Sequence, residues 1–464
     1  MEPVWRAESV ERRRRQVVRA RPASASIAGV PVDDVRVVVV GVGANGWPGL
    51  SDAARAVVLA AEVVIGAPRQ LALLPPSPAQ RRQAWPSPLR ATLPVVLAQS
   101  AGLRVVALAS GDPLVSGIGT TLVDVLGAEY VTIIPHVSSV ALARARLGWS
   151  AESTAVVSVV GRDAHAVLRE LAPQRRVLVL SSDEHTPAEL SGLLVECGYG
   201  SSRMVVLGDL GSESETRLET TAAAFSGSVS RLNVVALELS GSLAAGWATG
   251  LPDEMFEHDG QLTKRDLRAA ALARLIPAPG QLLWDVGAGA GSVGIEWMRA
   301  HPTCRTVAVE QSGVRAARIG RNARALGVPE LRVVHGDAPD ALVGLPAPDA
   351  VFIGGGATRA GVLEACLKEL RPGGRLVVHG VTLETEGLLG DAYRAHGGEL
   401  TRIHVEHAAP VGSFTGWTPG RAVTQWAVTS PHAGPADAVE PDRESAPHTP
   451  DATSIYQLGA AHRP

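Results

Sequence analysis

The chain has 464 residues, of which 46% are hydrophobic and only 4% aromatic, and its net charge is −3 at pH 7. This length predicts two to four domains at roughly 100–200 residues each. A general nucleic-acid surface needs a basic excess and stacking rings, so no nucleic-acid partner is expected. No apolar run approaches the roughly 18 residues that span a membrane, so no membrane partner is expected either. Cys197, Cys304 and Cys366 predict no disulfide framework, which fits a cytoplasmic location.

The first predicted elements follow a leader, residues 1–34, which lacks periodicity and is predicted to be disordered. The β-branched run at residues 35–40 is typical of a buried parallel strand. Ser51 is placed to cap a helix that runs through Ala61. The proline-rich residues 71–94 are expected to wind around the edge of the domain.

Strand and helix signals continue to about residue 245, and they divide near residues 147–153. The sequence therefore predicts one α/β domain, residues 35–245, with subdomains at about 35–148 and 149–245. Hairpin-like strand spacing predicts a mixed sheet in the second subdomain.

A change of composition at residues 240–259, which are small, polar and interrupted, predicts a weakly structured connection, with a linker at 246–262. Thr263 is expected to cap a helix that carries Leu267, Ala271 and Leu275 on one face. A second α/β domain is predicted at residues 263–430, and the Pro- and acid-rich tail, residues 431–464, is predicted to be disordered.

The stretch LLWDVGAGAG, residues 282–291, has the pattern of a strand, a tight turn and a helix start. Glycines let backbone approach a ligand where a Cβ would clash, and the helix start exposes N–H groups. The dinucleotide fingerprint G-x-G-x-x-G requires its third glycine where Ser292 stands, so a dinucleotide is not favoured.

Four successive strand ends in this half carry acids or glycines: Asp285 before the first glycine, Glu310 after TVAV, Asp337–Ala338 after LRVVHG, and the glycines after DAVFI. This ordered set resembles the S-adenosylmethionine (SAM) site of Rossmann-like, class I methyltransferases. The resemblance implies that Asp285 faces the methionine amino end, Glu310 the ribose hydroxyls, and Asp337 with Ala338 the adenine.

Four motifs in the first half, VVGVGANGWPGLS, ASGDPLVSGIGTTL, IIPHVSSVALARARLGW and LNVVALEL, resemble the tetrapyrrole methylases, a class III methyltransferase fold, and most of all their precorrin carbon-5 branch. The resemblance implies a SAM molecule in the cleft between the subdomains. The residues it implies as contacts are Gly111, Asp112, Pro113 and Val115, the Ser138–Ser139 turn, and the strand ends at Leu207 and Leu237. His136 departs from the family, which usually has glycine there.

The second half carries TKRDLR, WDVGAGAGSVGIE, HGDAPDAL, LRPGGRLVVHGVTLET and VGSFTGWTPGRAVTQW, and it resembles the cobalamin-pathway methylase that methylates carbon 15 and decarboxylates. The resemblance implies a SAM site lined by Thr263, Gly287, Ala288, Gly289, Ala290, Gly291, Glu310 and Ala338. The two halves in this order resemble a fused enzyme of cobalamin biosynthesis. It would methylate a precorrin at carbons 5 and 15, remove the carboxyl of the ring C acetate, and hold two SAM molecules per chain. A homo-oligomer is expected.

Residues for the tetrapyrrole substrate are less specific. Arginine pairs well with ring carboxylates, which makes Arg144, Arg359, Arg402 and Arg421 candidates, and His379, His404 and His407 are candidate proton handlers. No catalytic residue is assigned, and no metal-ligand spacing is present. Two alternatives stay open, a SAM-dependent RNA methyltransferase and a non-catalytic SAM-binding sensor, because fold does not determine function.

Overall fold

The computed structural model describes residues 36–241 and 246–431. The predicted disordered leader, and the predicted tail apart from its first residue, lie outside this range. None of the described helices is both long and apolar enough to cross a membrane.

The first sheet is fully parallel, with the strand order β3-β2-β4-β1-β5. Its elements are β1 (Val37–Val42), α1 (Asp52–Ala60), β2 (Val63–Gly66), α2 (Pro68–Ala72), β3 (Arg81–Ala84), α3 (Leu89–Ala98), β4 (Val105–Ser110), α4 (Ile118–Leu126) and β5 (Val131–Ile134). Ser51 caps α1 by accepting a hydrogen bond from the Ala54 N–H, as predicted. Residues 71–94, expected to wind around the edge of the domain, contribute the edge strand β3 and the start of α3.

The second sheet is mixed, as predicted, with the order β6-β7-β10-β8-β9. Its elements are α5 (Ser139–Leu147), β6 (Thr154–Ser158), β7 (Arg176–Leu180), α6 (Thr186–Glu196), β8 (Arg203–Gly208), β9 (Thr216–Thr221) and β10 (Asn233–Glu238). Only β6 and β7 pair in parallel. The buried Val140 and Ala143 of α5 pack on this sheet, against Leu178 and Leu207. The chain therefore passes from the first sheet to the second ahead of α5, earlier than the sequence indicated.

The third sheet has seven strands in the order β13-β12-β11-β14-β15-β19-β16. This domain contains α7 (Arg265–Leu275), β11 (Leu282–Val286), α8 (Ser292–Ala300), β12 (Arg305–Glu310), α9 (Gly313–Ala325), β13 (Arg332–His335), β14 (Ala350–Ile353), α10 (Val362–Glu369), β15 (Arg375–Gly380), α11 (Leu383–His396), β16 (Glu399–Ile403) and β19 (Val423–Thr429), with β17 (Glu406–Val411) and β18 (Phe414–Pro419) as a separate two-stranded sheet. The first five strands of that order are parallel, and β19 is antiparallel to both neighbours.

Strand β11 lies inside the third sheet between β12 and β14, and the chain reverses direction across the sheet between β13 and β14. In open α/β sheets ligands bind outside the carboxyl ends of the strands at such a switch point. Strand β16 ends at this same edge because it runs parallel to β15. The hairpin β17–β18, which the sequence did not predict as a separate unit, therefore extends from the edge that carries the glycine turn.

The connection before α7 is not weakly structured, contrary to the sequence expectation. Leu251 and Phe256 are buried in the core of the third sheet. The carboxylate of Glu296 in α8 accepts hydrogen bonds from the Gly250 and Leu251 N–H groups at 2.7 and 2.9 Å. Thr263 does not cap α7, whose N-cap position is Lys264. Residues 250–263 thus belong by packing to the second half of the chain.

The two halves touch at the edge of the third sheet opposite the glycine turn. Arg324, near the end of α9, donates to the Asp163 carboxylate of the second sheet's domain at 2.9 Å. The guanidinium of Arg175 lies 4.5 Å from the centroid of the Trp247 ring. Helix α9 ends at the amino edge of the sheet because it leads into β13. The carboxyl edge of the third sheet is therefore left clear of this contact.

Candidate functional site

The turn between β11 and α8 is built by glycines with left-handed backbone. Gly287 has φ 68°, and a Cβ there would lie 2.6 Å from the Gly355 carbonyl oxygen. Gly291 has φ 76°, and a Cβ there would lie 2.7 Å from Cγ2 of Ile319. Other residues rarely adopt this conformation and have no room here. The glycines therefore bring the turns after β11 and β14 into direct contact at the carboxyl edge.

Glu310 at the end of β12 is only 4% exposed, and its carboxylate faces the glycine turn. Oε2 accepts from the Gly289 N–H at 2.9 Å, and Oε1 accepts from the Ser312 N–H at 3.0 Å. A carboxylate has about four acceptor positions, so each oxygen keeps capacity for another donor. This geometry suits a ligand that presents hydroxyl groups.

Asp285 lies beneath the first turn of α8 and is 1% exposed. Its Oδ2 accepts from the Gly294 N–H at 2.9 Å, while Oδ1 has no hydrogen-bond partner among the described residues. Burial raises the pKa of Asp285 to about 7, partly opposed by the Gly294 bond and reinforced by the nearby Glu310 carboxylate. A cation near this turn would favour the ionised form.

The loops after β12, β13 and β14 meet through Arg359. Its Nη1 lies 2.6 Å from the Asp337 carboxylate, and its Nη2 donates to Gln311 at 3.0 Å. The Asp337 side chain is 60% exposed, whereas Ala338 packs partly against the core of this sheet. Arg359 is thus engaged with the loops that flank the site, and it is not a free cation.

The segment ahead of α7 closes the other side of the glycine turn. The carbonyl oxygen of Gln261 lies 3.0 Å from the position that a Cβ on Gly289 would occupy. Thr263 is half-buried, and its carbonyl accepts from Arg268 Nη1 at 2.6 Å. The structure therefore brings Thr263, the glycine turn and Glu310 to the same edge of the sheet. A Cβ on Gly289 would narrow the space between the glycine turn and the Gln261 carbonyl.

The remaining candidates of this half are dispersed. The buried His379 bonds to Gln425 Oε1 at 2.9 Å, and burial lowers the pKa of His379. Arg402 pairs with Glu386. Arg421, His404 and His407 are exposed, and the histidines lie before and within the β17–β18 hairpin. The structure does not bring these residues into one cluster. No group of three His, Cys, Asp or Glu side chains in the described ranges could hold a metal ion.

In the first half, the Gly-Asp-Pro loop after β4 abuts the Ser138 turn. Gly111 has φ 58°, and a Cβ there would lie 3.2 Å from Ser138 Cα. Asp112 Oδ1 accepts from the Leu114 N–H at 2.9 Å, and its carbonyl accepts from Val115 at 3.1 Å. Ser138 caps α5, whose first residue is the half-buried Ser139. The structure brings these predicted contacts together as one surface.

His136 fits the local turn despite its departure from the family pattern. Its N–H donates to the Gly111 carbonyl at 3.3 Å, and its Nε2 lies 3.1 Å from the Gly49 carbonyl oxygen. The imidazole thereby links the loop after β1 to the turn after β5. Arg144, the candidate in α5, is half-buried.

The predicted pair Leu207 and Leu237 is not brought together. Leu207 packs with α5 on one face of the second sheet, whereas Leu237 packs with Tyr199 on the opposite face. Strand alternation explains the difference, since Leu237 follows Ala236, which faces α5. Closure of the strand ends around Leu207 and Leu237 over the cleft stays a prediction, and of the two residues Leu207 has its side chain on the α5 face of the sheet.

Arg69 is a feature of the first half that sequence reasoning missed. Its Nη2 donates to Ser110 Oγ at 2.9 Å, directly before the Gly-Asp-Pro loop. Burial lowers the pKa of Arg69, and the nearby Asp209 carboxylate, which follows β8 of the second sheet, partly offsets this effect. The signal was available, because Arg69 stands three residues after the end of β2, at the carboxyl edge of the first sheet.

In the comparisons with known proteins, two different families match the two halves of the chain. The family described as tetrapyrrole (corrin/porphyrin) methylases matches residues 36–225, and the family described as precorrin methyltransferase domain matches residues 254–430. A precorrin-6Y C(5,15)-methyltransferase [decarboxylating] of Sinorhizobium sp is 45% identical, over 84% of this chain and 95% of the relative.

Two further relatives agree with this match. The enzyme of the same name from Mycobacterium tuberculosis (strain CDC 1551 / Oshkosh) is 45% identical over 85% of this chain and 99% of its own. A probable cobalt-precorrin-6B C(15)-methyltransferase (decarboxylating) of Pyrobaculum calidifontis is 34% identical over 36% of this chain and 88% of its own. These names support the corrin-ring interpretation and lend nothing to the RNA methyltransferase or sensor alternatives.

Proposed function

This chain belongs to the precorrin-6Y C5,15-methyltransferase (decarboxylating) family, and we propose that it converts precorrin-6Y to precorrin-8x in cobalamin biosynthesis. The conversion comprises methylation at carbons 5 and 15 and loss of the ring C acetate carboxyl. The observation that carries the proposal is the presence, in one chain, of two unrelated folds with a glycine turn at the carboxyl edge of a parallel sheet.

Methyltransferases of this kind use SAM, and the residues of the second half fit it. Glu310 would accept hydrogen bonds from the ribose hydroxyls, and Asp285 would attract the cationic amino end from beneath α8. Residues 287–291 would pass close to the ligand because they carry almost no side chain. The Gln261 carbonyl and Thr263 would cover it from the other side. Arg359 would border the adenine through its contact with Asp337.

We propose that the first half binds a second SAM molecule, which would make two per chain. Gly111, Asp112 and Val115 would form one wall of that site and Ser138 with Ser139 the other. The close approach of Gly111 to Ser138 supports this placement. Leu207 would contribute from the second sheet. Arg69 offers a cation at the rim, where it can pair with a ring carboxylate.

For methyl transfer, the main task of the protein is to position the reactants. SAM supplies an activated methyl group and a neutral leaving group, so the side chains must orient a ring carbon in line with that methyl and exclude water. For decarboxylation the C–C bond breaks, the electron pair enters the conjugated ring, CO₂ leaves, and the arm carbon gains a proton. We assign decarboxylation to the second half, where carbon-15 methylation needs the same part of the ring desolvated.

The tetrapyrrole is the expected partner of both sites. Arg69, beside the Gly-Asp-Pro loop at the carboxyl edge of the first sheet, is the candidate for its carboxylates in the first half, and Arg359, already paired with Asp337, borders the second-half site. A homo-oligomer and a cytoplasmic location remain predictions.

The test uses full-length variants and mass spectrometry with precorrin-6Y and SAM. Gly111→Val should silence the first half, because a larger side chain at φ 58° is strained and meets Ser138; this variant should yield one added methyl with loss of CO₂. At SAM concentrations well below its weakened Kd, Glu310→Ala should leave the second half inactive and yield one added methyl without loss of CO₂. Release of CO₂ by the Glu310→Ala chain at the wild-type rate would contradict the assignment of decarboxylation. No methyl transfer by the wild-type chain would contradict the function itself.

A further inference from the structure

Asn322 is a buried polar residue on the face of α9 that packs against the hydrophobic core. It is 3% exposed and lies beside Ile319 and Ala323, which are part of the hydrophobic core. Asparagine disfavours helix interiors because its side chain competes with the backbone for hydrogen bonds. A buried amide is tolerated only when its polar atoms are paired. Its presence here therefore requires specific partners.

The side chain of Asn322 makes three hydrogen bonds to backbone. Oδ1 accepts from the Glu257 N–H at 2.8 Å, and Nδ2 donates to the Glu257 carbonyl at 2.9 Å. Nδ2 also donates to the carbonyl of Ala290 at 2.9 Å. The opposite orientation of the amide would place its oxygen against two carbonyl oxygens, so the network determines the orientation.

These partners belong to the two walls of the second-half site. Ala290 lies between Gly289 and Gly291 in the glycine turn. Glu257 begins the segment that reaches Gly289 through the Gln261 carbonyl and ends at Thr263. One side chain, remote from solvent, thus fixes the position of the entry segment relative to the turn.

We propose that Asn322 is a positioning residue for the cofactor of the second half, an inference that rests on the proposed SAM site. It acts through the backbone of Glu257 and Ala290 and touches no substrate. Holding both walls in place before the ligand arrives lowers the ordering cost of binding. Asn322 is therefore needed for affinity more than for the methyl transfer that follows.

The same segment has a second, independent anchor, so we expect the domain to fold without Asn322. The fully buried Arg268 donates to the Thr263 carbonyl at 2.6 Å and to Glu296 Oε1 at 2.6 Å. The glycine turn keeps its own bonds from Gly287 and Ala288 to the Val309 carbonyl. Loss of Asn322 should therefore let the segment 257–263 move relative to the glycine turn, while both remain folded.

The experiment measures SAM binding by calorimetry in full-length chains that also carry Gly111→Val, so that only the second half binds. Asn322→Ala removes all three bonds. Asn322→Asp keeps the volume and the acceptor for the Glu257 N–H but cannot donate to either carbonyl when ionised. Arg321→Ala is the matched control, because Arg321 binds the same Glu257 through its exposed carboxylate, at 2.7 and 2.8 Å, and does not reach Ala290.

Both Asn322 variants should bind SAM about tenfold more weakly, as expected for the loss of one or two net hydrogen bonds. The kcat at saturating SAM should stay within about twofold, since binding and not the reacting geometry is affected. Arg321→Ala should bind SAM as the parent does. Faster hydrogen exchange across residues 257–263, measured on the folded chains, is expected only in the Asn322 variants.

A lowered melting temperature with unchanged SAM affinity in both Asn322 variants would show a structural role only and overturn the proposal. Equal weakening by Arg321→Ala would overturn it as well, because Ala290 would then be irrelevant. If one variant fails to fold, the other decides, and hydrogen exchange on residues 257–263 of the folded fraction gives the same answer. Absence of SAM binding in the Gly111→Val parent is a separate outcome, which would instead refute the proposed second-half site.

Discussion

Asp285→Asn is expected to stabilise the second half of the chain at neutral and higher pH while weakening SAM binding. The wild-type carboxyl is buried beneath α8, one of its oxygens has no partner among the described residues, and burial raises its pKa to about 7. Asparagine can keep the bond from the Gly294 N–H through its carbonyl oxygen. It carries no charge, so the cost of ionisation inside the fold disappears.

The magnitude follows from the ordinary pKa of 3.8 and the raised value of about 7. At about 1.4 kcal/mol per pH unit, ionising the buried carboxyl costs at most about 4 kcal/mol. Below the ordinary pKa both folded and unfolded chains are protonated and no stability is lost. As the pH rises through the folded pKa, the loss becomes complete. The advantage of asparagine should therefore grow between about pH 4 and pH 7 and then level off.

The assay is native-state hydrogen exchange of peptides covering β11 and α8, in the full chain, at pH 5 and pH 8, corrected for intrinsic exchange. Asp349→Asn serves as the control, because Asp349 also accepts from a β11 N–H, that of Leu282 at 2.8 Å, but at the opposite edge of the sheet. In the wild-type chain, SAM affinity should rise with pH as the cation favours ionised Asp285. A stability difference between Asp285→Asn and wild type that is the same at both pH values would refute the reasoning.

Four further outcomes are expected. Glu310→Ala loses charge-assisted hydrogen bonds of roughly 1.5–3 kcal/mol, so SAM affinity of the second half should fall about 10- to 100-fold, with the first half unchanged by calorimetry. The intact chain should bind two SAM molecules, and the Gly111→Val chain should bind one. Binding of a single SAM molecule by both chains would refute the proposed first-half site. Arg69→Gln should raise the KM for the tetrapyrrole about tenfold at constant SAM affinity. The control Arg90→Gln, which removes an exposed ion pair with Asp124, should leave this KM unchanged. The halves meet away from the second-half site, so a half-processed tetrapyrrole should be able to leave one chain and enter another. A mixture of Gly111→Val and Glu310→Ala chains should therefore complete both methylations. Absence of the final product would indicate direct transfer of the tetrapyrrole within one chain.

Local patterns in the sequence were sufficient to predict most elements of the sheets and the second-half strand ends. Asp285 and Glu310 follow apolar runs of strand length, and the glycines of residues 287–291 follow directly. The carboxyl ends of parallel strands share one edge, so their proximity could be inferred without coordinates. The chain order of motifs likewise indicated two methyltransferase folds. Each of these inferences depends on neighbours within a few residues or on a rule of topology.

Only the tertiary structure decided which surfaces face each other. The polar strand β3 at Arg81–Ala84 has no hydrophobic pattern and forms because β2 offers it an edge. Helix α5 and Leu237 have the predicted secondary structure, yet packing decides which sheet and which face they occupy. Residues 250–256 have the composition of a linker, but the Gly250 and Leu251 N–H groups donate to Glu296, more than forty positions away. These contacts join residues distant in the chain, and burial and hydrogen bonding between such residues leave little trace in local composition.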